Sequence, residues 1–205
     1  MEARPVPCVP EQTLPIQGVF DFVRDFPVRP KRPERLFFAI FPDPQSAAQA
    51  WRLADRLVAE NRLRQDRLGA QRLHISLHHV GDYGRLREKF VYAARQAGNA
   101  VAMPPFEVSL RFAATFEAPR RRPLVLLGDD PPLFALYERL GDAMRANGLR
   151  AGRQFVPHMT LSYGHAAVAR RAIAPVRFWV RGFALVHSKL WLTQYTVLAR
   201  WNLCG

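Results

Sequence analysis

The first sustained apolar run in the chain is Leu36-Phe37-Phe38-Ala39-Ile40-Phe41, of strand length and stopped by Pro42. Asp43 then offers a helix cap, with Pro44 at the first helical position. Ala47, Trp51, Ala54 and Val58 recur at helical spacing, so residues 44–63 are predicted as an amphipathic helix. Residues 73–80 read as a short strand. Residues 84–97 read as a second helix, with Leu86, Phe90 and Ala94 inward and Gly98 as its stop. Strands are predicted over 106–116 and 124–127, with Arg120-Arg121-Arg122 at a hairpin tip. A third helix covers 132–146, turning Leu133, Leu136, Leu140 and Met144 inward and stopping at Asn147-Gly148. Residues 155–163, 176–187 and 190–201 supply further strands, with Ser188-Lys189 as a tight turn between the last two. Strands and helices mixed without regular βαβ alternation predict an α+β fold.

Residues 1–33 follow a different pattern. They hold seven of the 17 prolines, and proline both fixes φ and removes a backbone donor. This stretch is expected to be an extended arm, docked through Phe20, Phe22 and Phe26 or left as a tail, with the compact domain spanning 34–205. No run of about 18 uncharged apolar residues occurs, which excludes a membrane-spanning helix.

The chain also repeats itself. The first helix is followed by Asn61-Arg62-Leu63-Arg64 and then by His74-Ile75-Ser76-Leu77. The third is followed by Asn147-Gly148-Leu149-Arg150 and then by His158-Met159-Thr160-Leu161. The same order, helix, Asn-x-Leu-Arg, His-x-Ser/Thr-apolar, occurs twice and predicts two related lobes about a pseudo-twofold axis.

Ser and Thr fill only ten positions and His six. Chance then gives on the order of 0.15 occurrences of His-x-Ser/Thr-apolar, with apolar residues at about half of all positions; the chain has two. On a strand, residues i and i+2 share a face. His74 projects with Ser76, and His158 with Thr160, while Ile75, Leu77, Met159 and Leu161 face the core. Two facing lobes would bring two imidazoles and two hydroxyls into one cleft. One imidazole can take a proton from an attacking group while the other gives one to a leaving group. The hydroxyls can donate to non-bridging oxygens. That set suits in-line displacement at phosphorus with no metal and no cofactor. No Asp/Glu cluster has the logic of a two-metal nuclease.

Charge changes the picture in one direction. Lys and Arg number 30 against 17 acidic residues, a net +13, which favours polyanions such as RNA. Of the 30, 27 are Arg, a bias that codon composition also produces, so charge alone does not locate a surface. Cys8 and Cys204 have no metal-ligand spacing, and the first residues lead into no apolar core segment. A reducing, cytoplasmic setting and a monomer are expected.

These residues resemble the 2H phosphoesterase superfamily. Within it, the chain is most similar to the bacterial and archaeal LigT-like RNA 2',3'-cyclic phosphodiesterases, historically called 2'-5' RNA ligases. The resemblance is carried by Arg35-Leu36-Phe37-Phe38-Ala39-Ile40-Phe41-Pro42, by Leu73-His74-Ile75-Ser76-Leu77 with Val80-Gly81-Asp82, by Phe155-Val156-Pro157-His158-Met159-Thr160-Leu161, and by Tyr195-Thr196-Val197-Leu198-Ala199-Arg200-Trp201. It covers about residues 35–203. It implies a bilobal α+β fold, with two antiparallel sheets lining a central cleft and helices outside. It also implies hydrolysis of a 2',3'-cyclic phosphate to a 2'-phosphomonoester. His74 would then be proton donor to the leaving 3'-oxygen, His158 the base that activates water, and Ser76 and Thr160 the holders of the phosphate oxygens. Ligation would swap the roles of the two histidines.

Two positions depart from that pattern. Arginine is frequent directly after the first motif, where this chain has His78 with His79 next, and two places after the second, where it has Tyr163. His78, Tyr163 and the nearby Arg153 are the candidates for further phosphate contacts. Phe38, Tyr163 and Phe183 are candidates for stacking on a base. Two other functions stay open on sequence alone: an RNA-binding module of this fold with little turnover, and a related enzyme acting on 2'-5' oligonucleotides or ADP-ribose 1'',2''-cyclic phosphate. Expected partners are RNA ends or cyclic nucleotides, with no membrane.

Overall fold

A computed structural model describes residues 30–62, 65–118, 121–192 and 194–204. The predicted arm at 1–33 lies almost wholly outside them, with Cys8 and Arg120. Among the described residues, nine strands and three helices follow in the order β1 (Glu34–Ile40), α1 (Pro44–Glu60), β2 (Gln65–Arg67), β3 (Ile75–Tyr83), α2 (Glu88–Asn99), β4 (Phe106–Thr115), β5 (Arg122–Leu127), α3 (Pro131–Ala146), β6 (His158–Gly164), β7 (Arg171–Val180), β8 (Gly182–Lys189) and β9 (Gln194–Asn202). A short 3-10 turn, Ala70–Arg72, precedes β3.

The main strands run in the order β7-β4-β5-β6-β3-β1-β8-β9, with β2 paired to β6. All pairings are antiparallel. The expected two sheets are instead one continuous sheet, whose halves are β7-β4-β5-β6, with β2 added on β6, and β3-β1-β8-β9. The halves are joined between β3 and β6 through the single residue pair Ile75↔Met159, so the sheet is continuous but has a narrow waist.

β1 explains why a six-residue apolar run was needed. Leu36, Phe38 and Ile40 enter the main core, whereas Phe37 and Ala39 join a second cluster with Ala184 and Val186 on the other face. A strand buried on both sides cannot alternate with polar residues. The helices close the main core. α1 packs on β6 and β7, α2 on α3, β8 and β9, and α3 on β3.

The two halves end their helices alike. Asn61 and Asn147 each donate from the side-chain amide to the carbonyl four residues back, Leu57 at 2.7 Å and Ala143 at 2.9 Å. The next residue is left-handed in both, Arg62 at φ 49° and Gly148 at φ 72°. The repeated Asn-x-Leu-Arg is thus a repeated helix stop.

Several boundaries differ from the pattern in the sequence, among them the end of the first helix, at Glu60 and not at residue 63. The second helix begins at Glu88, continues past Gly98 and ends at Asn99. A Cβ on Gly98 would fall 2.4 Å from the Trp201 ring, so this glycine lets α2 seat on β9. The strand predicted over 176–187 is two strands, β7 and β8, in opposite halves of the sheet. The chain crosses at Gly182, where a Cβ would lie 2.3 Å from the Trp201 carbonyl oxygen. Ser188-Lys189 is not a turn but the end of β8, paired with Tyr195 and Gln194, and the turn follows at residues 190–192.

The left-handed stops give a stability test. A non-glycine residue in that region costs on the order of 1 kcal/mol. Arg62→Gly is expected to raise unfolding stability and Gly148→Ala to lower it, each by about that amount, in equilibrium denaturation. Shifts of the opposite sign would contradict the described backbone.

Candidate active site

The waist builds the site. Because Ile75↔Met159 is an antiparallel pair, the residues flanking it lie opposite one another: Ser76 against His158, and His74 against Thr160. Ile75 and Met159 are fully buried, so these four polar side chains share the other face. All four are half-buried.

Each imidazole is held by the same local bond. His74 Nδ1 lies 2.7 Å from the Arg72 carbonyl oxygen, and His158 Nδ1 lies 2.7 Å from that of Val156. A carbonyl can only accept, so Nδ1 carries the proton in both rings. Nε2 is then the nitrogen free to exchange protons. In the neutral His74 ring, Nε2 accepts from the Ser76 hydroxyl at 3.1 Å.

His74 is packed among the rings of Phe37, Phe41 and Tyr195, with centroids 5.4, 5.9 and 5.6 Å away. Burial pushes its pKa below the ordinary 6.5. The bond to the Arg72 carbonyl opposes this, and positive charge on His158 and Arg72 adds to it. Positive charge on His158 therefore disfavours protonation of His74 across the waist. His158 has one described ring neighbour, Phe116, edge-on at 5.0 Å.

Just after each motif the strand carries one extra residue. In the β1–β3 pairing, Ala39 faces Ser76 but Phe37 faces His79. In the β5–β6 pairing, adjacent Val125 and Leu124 face Thr160 and Ser162. These bulges break the alternation in the same way twice. Leu77 and His78 are both buried, as are Leu161 and Ser162, and exposure resumes at His79 and Tyr163.

The bulges decide where the further candidates go. His78 does not join Ser76. It turns into the interior, stacks on Tyr137 at 3.8 Å and donates from Nε2 to the Tyr137 carbonyl oxygen at 2.8 Å. Burial lowers its pKa, partly offset by that bond. Arg153 is exposed and lines a separate pocket of about 660 Å3 with His78 and Tyr137, away from the paired motifs. Tyr163 is exposed on β6, and the Arg121 guanidinium lies 6.0 Å from its ring centroid. Phe38 and Phe183 are core residues, packed against each other and Trp201, and so are not available to a base.

The sequence analysis passed over several groups beside the cleft. Arg72 lies over the Tyr195 ring, 4.8 Å from its centroid. Arg35 makes a two-point ion pair with Asp82, at 2.8 and 2.9 Å, and His79 Nε2 donates to the same carboxylate at 2.8 Å. Hydrogen bonds from Arg35 hold the Asp82 carboxyl at about 2, and the bond to Asp82 raises the Arg35 pKa, with Tyr195 and Tyr163 adding to it. The signal for Arg35 and Asp82 was present in the sequence as the Arg before the first apolar run and the Asp after Gly81. Nothing in the local pattern showed that they meet.

Two histidines, each fixed through Nδ1 and each two residues from a hydroxyl, are the doubled motif for which the 2H phosphoesterases are named. Comparison with known proteins agrees. The profile of the 2'-5' RNA ligase superfamily matches residues 41–190. The structure of Escherichia coli LigT without ligand is 28% identical, with TM-score 0.64 over 85% of this chain and 99% of that one. The same protein in complex with 3'-AMP gives 26% and 0.63, over 84% and 99%. A Thermus thermophilus protein, TT0787, gives 24% and 0.64, over 83% and 98%. A search of curated protein sequences found no match. The chain belongs to the 2'-5' RNA ligase superfamily, among the 2H phosphoesterases.

The bonds to backbone carbonyls fix a tautomer that can be observed. Nitrogen-15 NMR of the neutral imidazoles is expected to show Nδ1 protonated and Nε2 bare for both His74 and His158. His74 is expected to stay neutral as the pH falls below 6.5. An Nε2–H tautomer at either ring would contradict the geometry.

Proposed function

We propose that the protein hydrolyses the 2',3'-cyclic phosphate of RNA ends or nucleotides to a 2'-phosphomonoester, by acid–base catalysis between His74 and His158 and without a metal ion. The observation that carries this reading is the matched pair of Nδ1 bonds, which aims two Nε2 atoms at one cleft. Water attacks phosphorus from the His158 side, and Nε2 of neutral His158 takes its proton. The bond from phosphorus to the 3'-oxygen breaks, and Nε2–H of protonated His74 gives that oxygen a proton. The phosphate stays on the 2'-oxygen. Ser76 and Thr160 donate to the non-bridging oxygens.

Positive charge for the phosphate is supplied by Arg72 and Arg35 in this reading, since Tyr163 stands where the resembling family often has arginine. The nucleotide class is supported by the relative solved with 3'-AMP. Burial opposes the role of His74 as acid in the free protein. The entering phosphate anion acts in the other direction, because an opposite charge favours the imidazolium. The proton is therefore loaded with the substrate.

His74→Ala and His158→Ala are each expected to lower kcat by roughly 10²-fold or more. Activity should fall as pH rises through the pKa of the acid. For kcat/KM, which reports the free protein, that limb should lie below pH 6.5; for kcat, which reports the complex, it should lie higher. Full activity in either variant, or the reverse order of the two limbs, would remove the assigned roles.

A further inference from the structure

A groove of about 1200 Å3 lies beside His74, with the preceding residue, Leu73, in its lining. Phe41 and Tyr195, two of the three rings around His74, line its inner end. Pockets that enclose a single small ligand usually measure roughly 300–1,000 Å3, so this groove exceeds what one nucleotide needs.

Its lining alternates cations with aromatic rings. The Arg200 guanidinium lies 5.9 Å from the centroid of Phe41, and that of Arg181 lies 6.0 Å from the centroid of Trp179. On β7 the strand period puts Val176, Phe178 and Val180 in the core and turns Arg177 and Trp179 outward into the groove. Trp179 is 54% exposed, more than most large apolar side chains tolerate without a use. Among the described residues, Arg177, Arg181 and Arg200 have no carboxylate ion-pair partner. Two acidic residues also line the groove: Asp43, turned to the start of α1 where it accepts from the Ser46 backbone N–H, and Glu107, exposed on β4 opposite Trp179, against the three arginines. Guanidinium groups interleaved with open aromatic faces suit a single-stranded nucleic acid, with phosphates on the cations and bases on the rings.

The direction of the reaction places that strand. In-line displacement puts the attacking water and the leaving oxygen on opposite sides of phosphorus. The leaving 3'-oxygen belongs to the terminal ribose, and the rest of an RNA strand is attached to the same ribose through its 5'-oxygen. With His74 as the acid, the ribose and the strand lie on the His74 side, where two rings packed on His74, Phe41 and Tyr195, are also part of the groove lining.

We infer that this groove carries the RNA strand leading up to the cyclic phosphate, so that the protein prefers an oligonucleotide end to a free cyclic mononucleotide. The inference rests on the proposed hydrolysis for its direction, and on the groove's own lining for its ligand.

The test compares an RNA hexamer ending in a 2',3'-cyclic phosphate with cytidine 2',3'-cyclic phosphate, using the full chain and the variants Trp179→Ala and Arg181→Gln. Both side chains are exposed at the far end of the groove, so the fold is expected to survive. The ratio of kcat/KM on the hexamer to kcat/KM on the mononucleotide is expected to exceed one in the wild type and to fall about tenfold in each variant. An unchanged ratio overturns the inference. A second arm does not depend on turnover: binding of a labelled hexamer ending in a 3'-phosphate, by fluorescence anisotropy across a salt series. Each variant should weaken binding about tenfold, and Arg181→Gln should reduce the log–log salt slope by about 0.7. If neither cyclic substrate is hydrolysed, the proposed function fails while this arm still decides the groove. Equal hexamer affinity in wild type and variants overturns it.

Discussion

The cleft depends on one backbone pairing. Ile75 and Met159 join the two halves of the sheet, and no other residue pair is registered between β3 and β6. Side chains on a strand have a period of two, so a slip of one residue would exchange the faces of the strand. His74, Ser76, His158 and Thr160 would enter the core, and Ile75 and Met159 would enter the cleft. The register is held by what flanks it. β3 is pinned on its other side by β1, and β6 by β5. Ile75 and Met159 are fully buried in one continuous core. The polar face is therefore fixed by the apolar one behind it.

From that joint outward the two halves use the same devices. Each imidazole gives Nδ1–H to the carbonyl two residues back. Each strand then bulges, burying two consecutive residues before exposure resumes. Only past the bulge do the halves diverge. One presents His79, tied through Asp82 to Arg35, and the other presents Tyr163 beside Arg121. The shared part holds and orients the two imidazoles. The divergent part lies beyond the bulges.

Much of this was legible in the sequence because it rests on local periodicity. The apolar run at 36–41, the helical spacing of Ala47, Trp51 and Ala54, and the doubled His-x-Ser/Thr pattern each followed from side chains a few residues apart. The repeated Asn-x-Leu-Arg marked the repeat, but its first asparagine was placed inside the helix that it in fact ends. What was not legible depends on contacts between distant segments. The extra residue in β3 has no local signature, so His78 was placed on the face of Ser76 and in fact bonds to the Tyr137 carbonyl and stacks on its ring, 59 positions away. Arg181-Gly182 reads as the middle of one strand, and only the approach of Trp201 shows why the chain changes halves there. The Arg35–Asp82 pair spans 47 positions and joins residues whose types are ordinary on any surface. Phe38 and Phe183 could not be told from base-stacking aromatics until their burial was known.

The central claim is that two fixed imidazoles alone move the protons of a cyclic-phosphate opening, with the 3'-oxygen leaving on the His74 side. The most direct measurement is phosphorus-31 NMR of cytidine 2',3'-cyclic phosphate incubated with the purified protein in excess EDTA. The account predicts that the cyclic resonance is replaced by that of the 2'-phosphate. A 3'-phosphate product would contradict the assigned direction of attack, and loss of all turnover in EDTA, restored by a divalent metal, would contradict catalysis by the histidine pair alone.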